Sequence, residues 1–120
     1  MWNIRMKIQV EKYVAVIDMT ATKEQRTLTK EYSVPREDSM NKTYVMAIRE
    51  GLNHINQKCR LEIATSYAYL SASLNALDKW KERDFRTSKG KEVAYAEEWK
   101  EIAKKLEELE WEVIRDDAAV

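Results

Sequence analysis

The chain has 120 residues, with 21 Lys and Arg against 21 Asp and Glu, a length that favours one domain over 1–120 with its own core and no separate regulatory module. Zero formal net charge excludes a globally cationic nucleic-acid binder and an acidic solvating tail alike, so any electrostatic footprint has to be local. A hydrophobic content of 44% beside 35% charged residues, with no apolar run near the roughly 18 residues of a membrane span, points to a soluble globular protein.

Trp2, Ile4, Met6, Ile8 and Val10 fall on every second position, the period of a strand with one buried face. Glu11 and Lys12 make a short connection to a second β-rich run, Tyr13 to Met19. Thr22 to Gln25 reads as a polar turn, and Arg26 to Val34 alternates again until Pro35 stops it. These three segments predict an antiparallel meander. After a polar link, Ser39 or Asn41 can cap a helix that carries Val45, Ile48, Leu52 and Ile55 on one face and ends near Asn56. Arg60 to Thr65 has the pattern of a strand, and Ser66 to Trp80 returns to helical spacing through Leu70, Leu74 and Leu77. Lys81 to Lys91 is polar, Ala96 to Glu108 is helical through Trp99, Ile102 and Leu106, and Trp111 to Ile114 leaves room for a last strand. The order β-β-β-α-β-α-α-β predicts an α/β fold. Its five-stranded mixed sheet has three antiparallel strands and then helix-connected parallel strands, flanked by three to four helices.

Single residues narrow the chemistry. One cysteine, Cys59, and one histidine, His54, cannot form a disulfide, a cysteine-rich zinc site or a histidine metal site, so a metal has to come through carboxylates. Two glycines, Gly51 and Gly90, leave no phosphate-cradling glycine loop. The stretch Met1 to Lys7 alternates apolar and polar residues with no continuous apolar segment, which predicts no signal peptide and a cytoplasmic location. Cys59, just before a strand, reads as a buried small hydrophobe, and His54 as a surface residue of its helix.

Several segments resemble bacterial type 1 ribonucleases H, and the element order is that of the ribonuclease H fold. Asn41-Lys42-Thr43-Tyr44-Val45-Met46-Ala47 resembles that family's Asn-Arg-Met-Glu-Leu-Met-Ala, with Tyr44 in place of the glutamate. Leu61 to Leu70 resembles its apolar-x-Thr-Asp-Ser-x-Tyr-Val turn, with Ser66 in place of the aspartate. The most specific segment, Lys79-Trp80-Lys81-Glu82-Arg83-Asp84-Phe85-Arg86-Thr87, is similar to the family's Asn-Trp-Lys-Lys-Arg-Gly-Trp-Lys-Thr basic protrusion and continues without a gap to Trp99. Leu109 to Val113 resembles its closing strand.

The resemblance implies a domain that binds an RNA–DNA hybrid and cleaves the RNA with two magnesium ions held by clustered carboxylates. Of those positions, Tyr44 and Ser66 carry no charge, and the first strand has no acid at Arg5 to Gln9. Glu11, Asp116 and Asp117 are the weak substitutes; Asp18, Glu62 and Glu98 are acids for a displaced site. The expectation is a protein with no catalytic residues and no cofactor, magnesium entering only if relocated ligands rebuild a nuclease.

The binding chemistry survives better than the catalytic chemistry. Residues 79–91 hold six bases against two acids, a local charge of +4, interleaved with aromatics as a nucleic-acid backbone requires. Asn41, Lys79, Trp80, Lys81, Arg83, Phe85, Arg86, Thr87, Lys89 and Lys91 are therefore the expected contacts, the open alternative being that Trp80 and Phe85 are core and the bases a solvated face. Residues 97–117 hold nine acids against four bases. That dipolar pattern also suits a protein partner or a homodimer on the same fold, the second reading; no membrane partner is expected.

Overall fold

The computed structural model describes residues 1–116. The strands are β1 (Trp2–Val10), β2 (Val14–Lys23), β3 (Arg26–Pro35), β4 (Cys59–Thr65) and β5 (Glu110–Arg115), and the helices α1 (Met40–Asn53), α2 (Ala68–Glu82) and α3 (Ala96–Leu106). The expected element order holds, with three helices among the described residues. The sheet order is β3-β2-β1-β4-β5: β1, β2 and β3 form the antiparallel meander, and β4 and β5 join parallel to β1.

Three boundaries differ from the sequence reading for local reasons. Pairing of β2 with β3 continues through Thr22↔Thr27 to Lys23↔Arg26, because opposed β-branched residues pair well even beyond the core. The turn therefore shrinks to Glu24 and Gln25, with Glu24 in the left-handed region at φ 56. Helix α1 ends at Asn53, but its last turn tightens, with Ile55 N–H bonding Leu52 C=O at 3.1 Å, which keeps Ile55 buried. Helix α2 starts at Ala68, since Thr65 Oγ1 accepts from Tyr67 N–H at 3.0 Å and holds Tyr67 extended.

The helices form one layer, α1 packing on both α2 and α3 as well as on the sheet. Met6, Ile17, Leu61 and Ile63 meet Ile48, Leu52, Leu74, Trp99 and Ile102 there, all essentially without exposure. Gly51 permits the close approach of α1: a Cβ there would stand 2.7 Å from Met6 Cε. The opposite sheet face carries Asn3, Arg5 and Gln9, which are exposed, and ion pairs Arg5–Glu62 at 3.2 Å and Arg60–Glu110 at 3.3 Å. A solvated face explains why β1 and β4 alternate in polarity, although parallel strands are usually apolar on both sides. Among the described residues no helix is long and apolar enough to cross a membrane.

Candidate nucleic-acid interface

Two places on this frame carry the sequence-predicted residues. The first lies at the carboxyl ends of β1 and β4 and the start of α1, where open α/β sheets bind ligands. A pocket of about 230 Å³ there is lined by residues that include Gln9, Met40, Tyr44, Thr65, Ser66 and Asp116. The fold thus gathers Tyr44, Ser66 and Asp116 from three distant segments. Glu11 is not brought to them: it is exposed one residue past β1, is absent from the pocket lining, and serves the chain turn through its backbone, which bonds Val14 and the Arg36 guanidinium. Asp117 lies outside the described residues.

Each remaining group has a specific neighbour. Asp116 is mostly buried and sits 3.8 Å from Lys7 Nζ, while its N–H bonds Thr65 C=O at 3.2 Å. Tyr44 stacks on Tyr67 with ring centroids 4.1 Å apart, and Tyr67 donates its hydroxyl proton to Asn41 Oδ1. Asn41 is therefore occupied within the protein, and Ser39 takes the capping role, accepting from Lys42 N–H at 3.2 Å. Tyr67 was not anticipated; its place directly after Ser66 was the available signal.

Burial, with a smaller contribution from Tyr67, holds the Tyr44 phenol above its ordinary value near 10. Burial likewise raises the Cys59 thiol above 9.0, Lys105 acting weakly in the other direction. Both groups favour their protonated forms in the folded chain, so their contribution to stability is full below those ordinary values and is lost as pH rises through the raised folded ones. Alkaline destabilisation beginning at about pH 9 to 10 is the expected outcome. Urea unfolding at several pH values checks it, and Tyr44→Phe is expected to flatten the upper part of the curve.

This donor set does not fit a pair of magnesium ions. It offers one carboxylate already facing an ammonium, a protonated phenol and a serine hydroxyl, where hard dications need several anionic oxygens. Asp18, Glu62 and Glu98 stand on β2, β4 and α3, with Glu62 held by Arg5, and no group of three or more acids, histidines or cysteines among the described residues is placed to hold a metal. His54 is exposed, stacked on Tyr32 at 3.6 Å and bonded to Glu50 at 3.1 Å. Cys59 is buried, as its position in the sequence suggested.

The second place is the segment after α2. Arg83 closes the helix, and Asp84 and Phe85 both take left-handed backbone, at φ 54 and 58. Such residues cost on the order of 1–3 kcal/mol each, and burial of the Phe85 ring against Trp80 offsets that cost. The Phe85 N–H bonds Trp80 C=O at 2.6 Å and its C=O accepts from Val93 at 2.9 Å. The Phe85 ring is thus buried, as in the alternative the sequence left open, while Trp80 is half-buried against Trp99, with ring centroids 5.7 Å apart.

Beyond Phe85 the chain closes on itself. Arg86 bridges Glu92 through the backbone, Thr87 N–H bonds Lys91 C=O at 2.6 Å, and Thr87 Oγ1 accepts from Lys91 N–H at 3.3 Å, which gives Thr87 a structural task. Gly90 makes the turn with φ 82, and the Arg86 guanidinium donates to its carbonyl at 3.1 Å. Lys81 is engaged by Asp78 and Glu107, each at 3.4 Å. Lys79, Arg83, Arg86, Lys89 and Lys91 are all exposed, and none of the five has an ion pair among the described residues. A line of rings joins the two places: Tyr44, Tyr67, Tyr69, Trp99, Trp80 and Phe85, consecutive centroids 4.1 to 6.5 Å apart.

No family profile matches the chain. In sequence it is 29% identical over 86 residues to a ribonuclease H of Bordetella pertussis, a match covering 69% of this chain and 56% of the relative. It is 30% identical over 64 residues to a ribonuclease H of Caldicellulosiruptor saccharolyticus, covering 52% and 44%. The chain spans about half the length of the curated relatives it matches. In structure it is similar to a type 1 ribonuclease H with the type 2 active-site motif, with a TM-score of 0.69 at 12% identity over 98% of this chain and 64% of that one. A foamy viral protease-reverse transcriptase in complex with an RNA/DNA hybrid gives a TM-score of 0.64 at 14% identity, over 99% and 18%. At these identities the structural likeness speaks for the fold.

Proposed function

We infer that this chain, ribonuclease H-like in sequence and in fold, binds nucleic acid through the loop after α2 and does not cleave it. The observation that carries the binding is the loop itself: five exposed cations without acidic partners among the described residues, on a segment fixed by its own hydrogen bonds, in a protein of zero net charge. Fixed cations of this kind contact phosphates with little sequence preference, displacing counterions as they do so. RNA–DNA hybrid is the favoured ligand because relatives carry the name ribonuclease H and a structural neighbour was solved with such a hybrid.

Binding to hybrid, duplex DNA and single strands across a salt series tests the reading. Three or four phosphate contacts, at roughly 0.7 to 0.9 each, are expected to give a slope of log affinity against log salt of about −3. Replacing Arg83, Lys89 and Lys91 together with alanine is expected to flatten that slope by about two units, while Lys104→Ala on α3 leaves it unchanged. Absence of binding to all three ligands at about 50 mM salt, where electrostatic attachment is favoured, would overturn it. A scaffold for a protein partner or a second copy is then the better account. Against that account stands the internal pairing of the acidic segment: Glu97, Glu101, Glu107 and Glu110 face Lys100, Arg49, Lys81 and Arg60.

A further inference from the structure

Strand β3 is a sheet edge that the described residues leave open. It lies outermost in the order β3-β2-β1-β4-β5. Its ten residues pair with β2 in one unbroken register, from Val14↔Pro35 to Lys23↔Arg26, so no bulge turns it aside and no proline interrupts it before its last residue. The opposite edge, β5, is guarded by its shortness, with six residues. Arg26 to Glu31 are all exposed. Among them is Leu28, 54% exposed on the helix-bearing face, where its neighbour in β2 is only Ala21.

We propose that β3 pairs antiparallel with β3 of a second copy of this chain, about a two-fold axis at Thr29, so that two sheets become one. Such an axis stands perpendicular to the sheet and passes through a single residue, because the pleat keeps opposed side chains on one face. Side-chain charge then sorts the registers. An axis at Lys30 sets Lys30 against Lys30, one at Glu31 sets Glu31 against Glu31, and one at Leu28 sets Arg26 against Lys30, each a like-charge pair directly opposed. An axis at Tyr32 or Ser33 draws Pro35, which has no N–H, into the ladder.

An axis at Thr29 opposes Thr29 to itself, Thr27 to Glu31, Leu28 to Lys30 and Arg26 to Tyr32, with no like charges directly opposed. The two Leu28 side chains then lie on one diagonal, within reach of each other, and the Lys30 stem covers the apolar surface while its ammonium stays in water. Arg26 arrives beside the second copy's Tyr32, whose ring stacks on His54, itself bonded to Glu50. The guanidinium thus meets an aromatic face and a carboxylate. Lys30 and Glu31 select the register without closing the edge. Neither the acidic segment nor nucleic acid takes part, so the pairing is independent of the nucleic-acid reading.

Sedimentation velocity over a concentration series, without nucleic acid, tests this. The wild-type protein is expected to pass from monomer to dimer in the micromolar range. Thr29→Lys and Thr29→Glu each place like charges at the axis and are expected to be monomeric where the wild-type protein is dimeric, whereas an equimolar mixture of the two regains the dimer. Thr29→Cys is expected to cross-link two chains under mild oxidation, since directly opposed Cα atoms stand about 4.5–5.5 Å apart. Glu31→Cys, four strand positions or about 13 Å out of line with its copy, is expected to stay uncross-linked, and Cys59 is buried and does not compete. Thermal melting of each variant verifies the fold. A monomer alone up to about 0.5 mM, a dimer that survives Thr29→Lys, or cross-linking of Glu31→Cys as fast as of Thr29→Cys would overturn the proposal.

Discussion

Incubated with an RNA–DNA hybrid in magnesium or manganese, the protein is expected to leave the RNA strand intact, with no rate above the uncatalysed background. Two-ion catalysis requires carboxylates that hold one metal on the attacking water and another on the leaving oxygen. Tyr44 and Ser66 line the pocket where such groups would have to converge, Gln9 lines it from β1, and Asp116 already faces Lys7. Restoring charge at only two of these positions, with Tyr44→Glu and Ser66→Asp, is expected to leave the protein silent. The β1 position still supplies no anion, and the Lys7 ammonium competes with a dication for Asp116. Denaturing gels over a metal series check both results. Magnesium-dependent turnover that disappears in Asp116→Asn would instead place a working ligand set around that residue.

Replacing Trp99 with alanine is expected to lower stability by about 3–5 kcal/mol, the range for emptying the site of a fully buried large ring. That loss is comparable with the whole stability of many domains, about 5–15 kcal/mol, and corresponds to a fall in melting temperature of about 10–20 °C. Trp99 has no exposure, donates from Nε1 to the Tyr69 hydroxyl at 3.3 Å, and meets Trp80 edge-on at 5.7 Å. It therefore joins α3 to α2 beneath the loop that carries the cations. Trp99→Phe is expected to retain most of the stability, whereas Trp80→Ala, which removes a half-buried ring, is expected to cost less than Trp99→Ala. Thermal melts followed by circular dichroism give the order, and equal losses for Trp80→Ala and Trp99→Ala would contradict it.

The two expectations draw on different kinds of information. Alternation in Trp2–Val10 and helical spacing in Ala96–Leu106 were legible in the sequence because each element had only one way to bury its apolar face. The uncharged side chains of Tyr44 and Ser66, and the surplus of bases over residues 79–91, are matters of residue type and needed no coordinates.

Which groups face one another was decided by the tertiary structure. Only a sheet that sets β4 parallel to β1 brings Asp116 to Lys7 and leaves Glu11 outside the pocket. Phe85 looked like a stacking residue among bases; a pair of left-handed residues turns its ring inward, because burying an aromatic offsets the strain of reversing the chain there. Lys81 shares the composition of its neighbours yet is held by Glu107, 26 positions away, and Tyr67 joins Tyr44 only through the fold. Periodicity reports the environment of one segment at a time, so it determined the elements and their buried faces. Pairings between segments depend on register, helix placement and turn geometry, and the packed chain alone determined those.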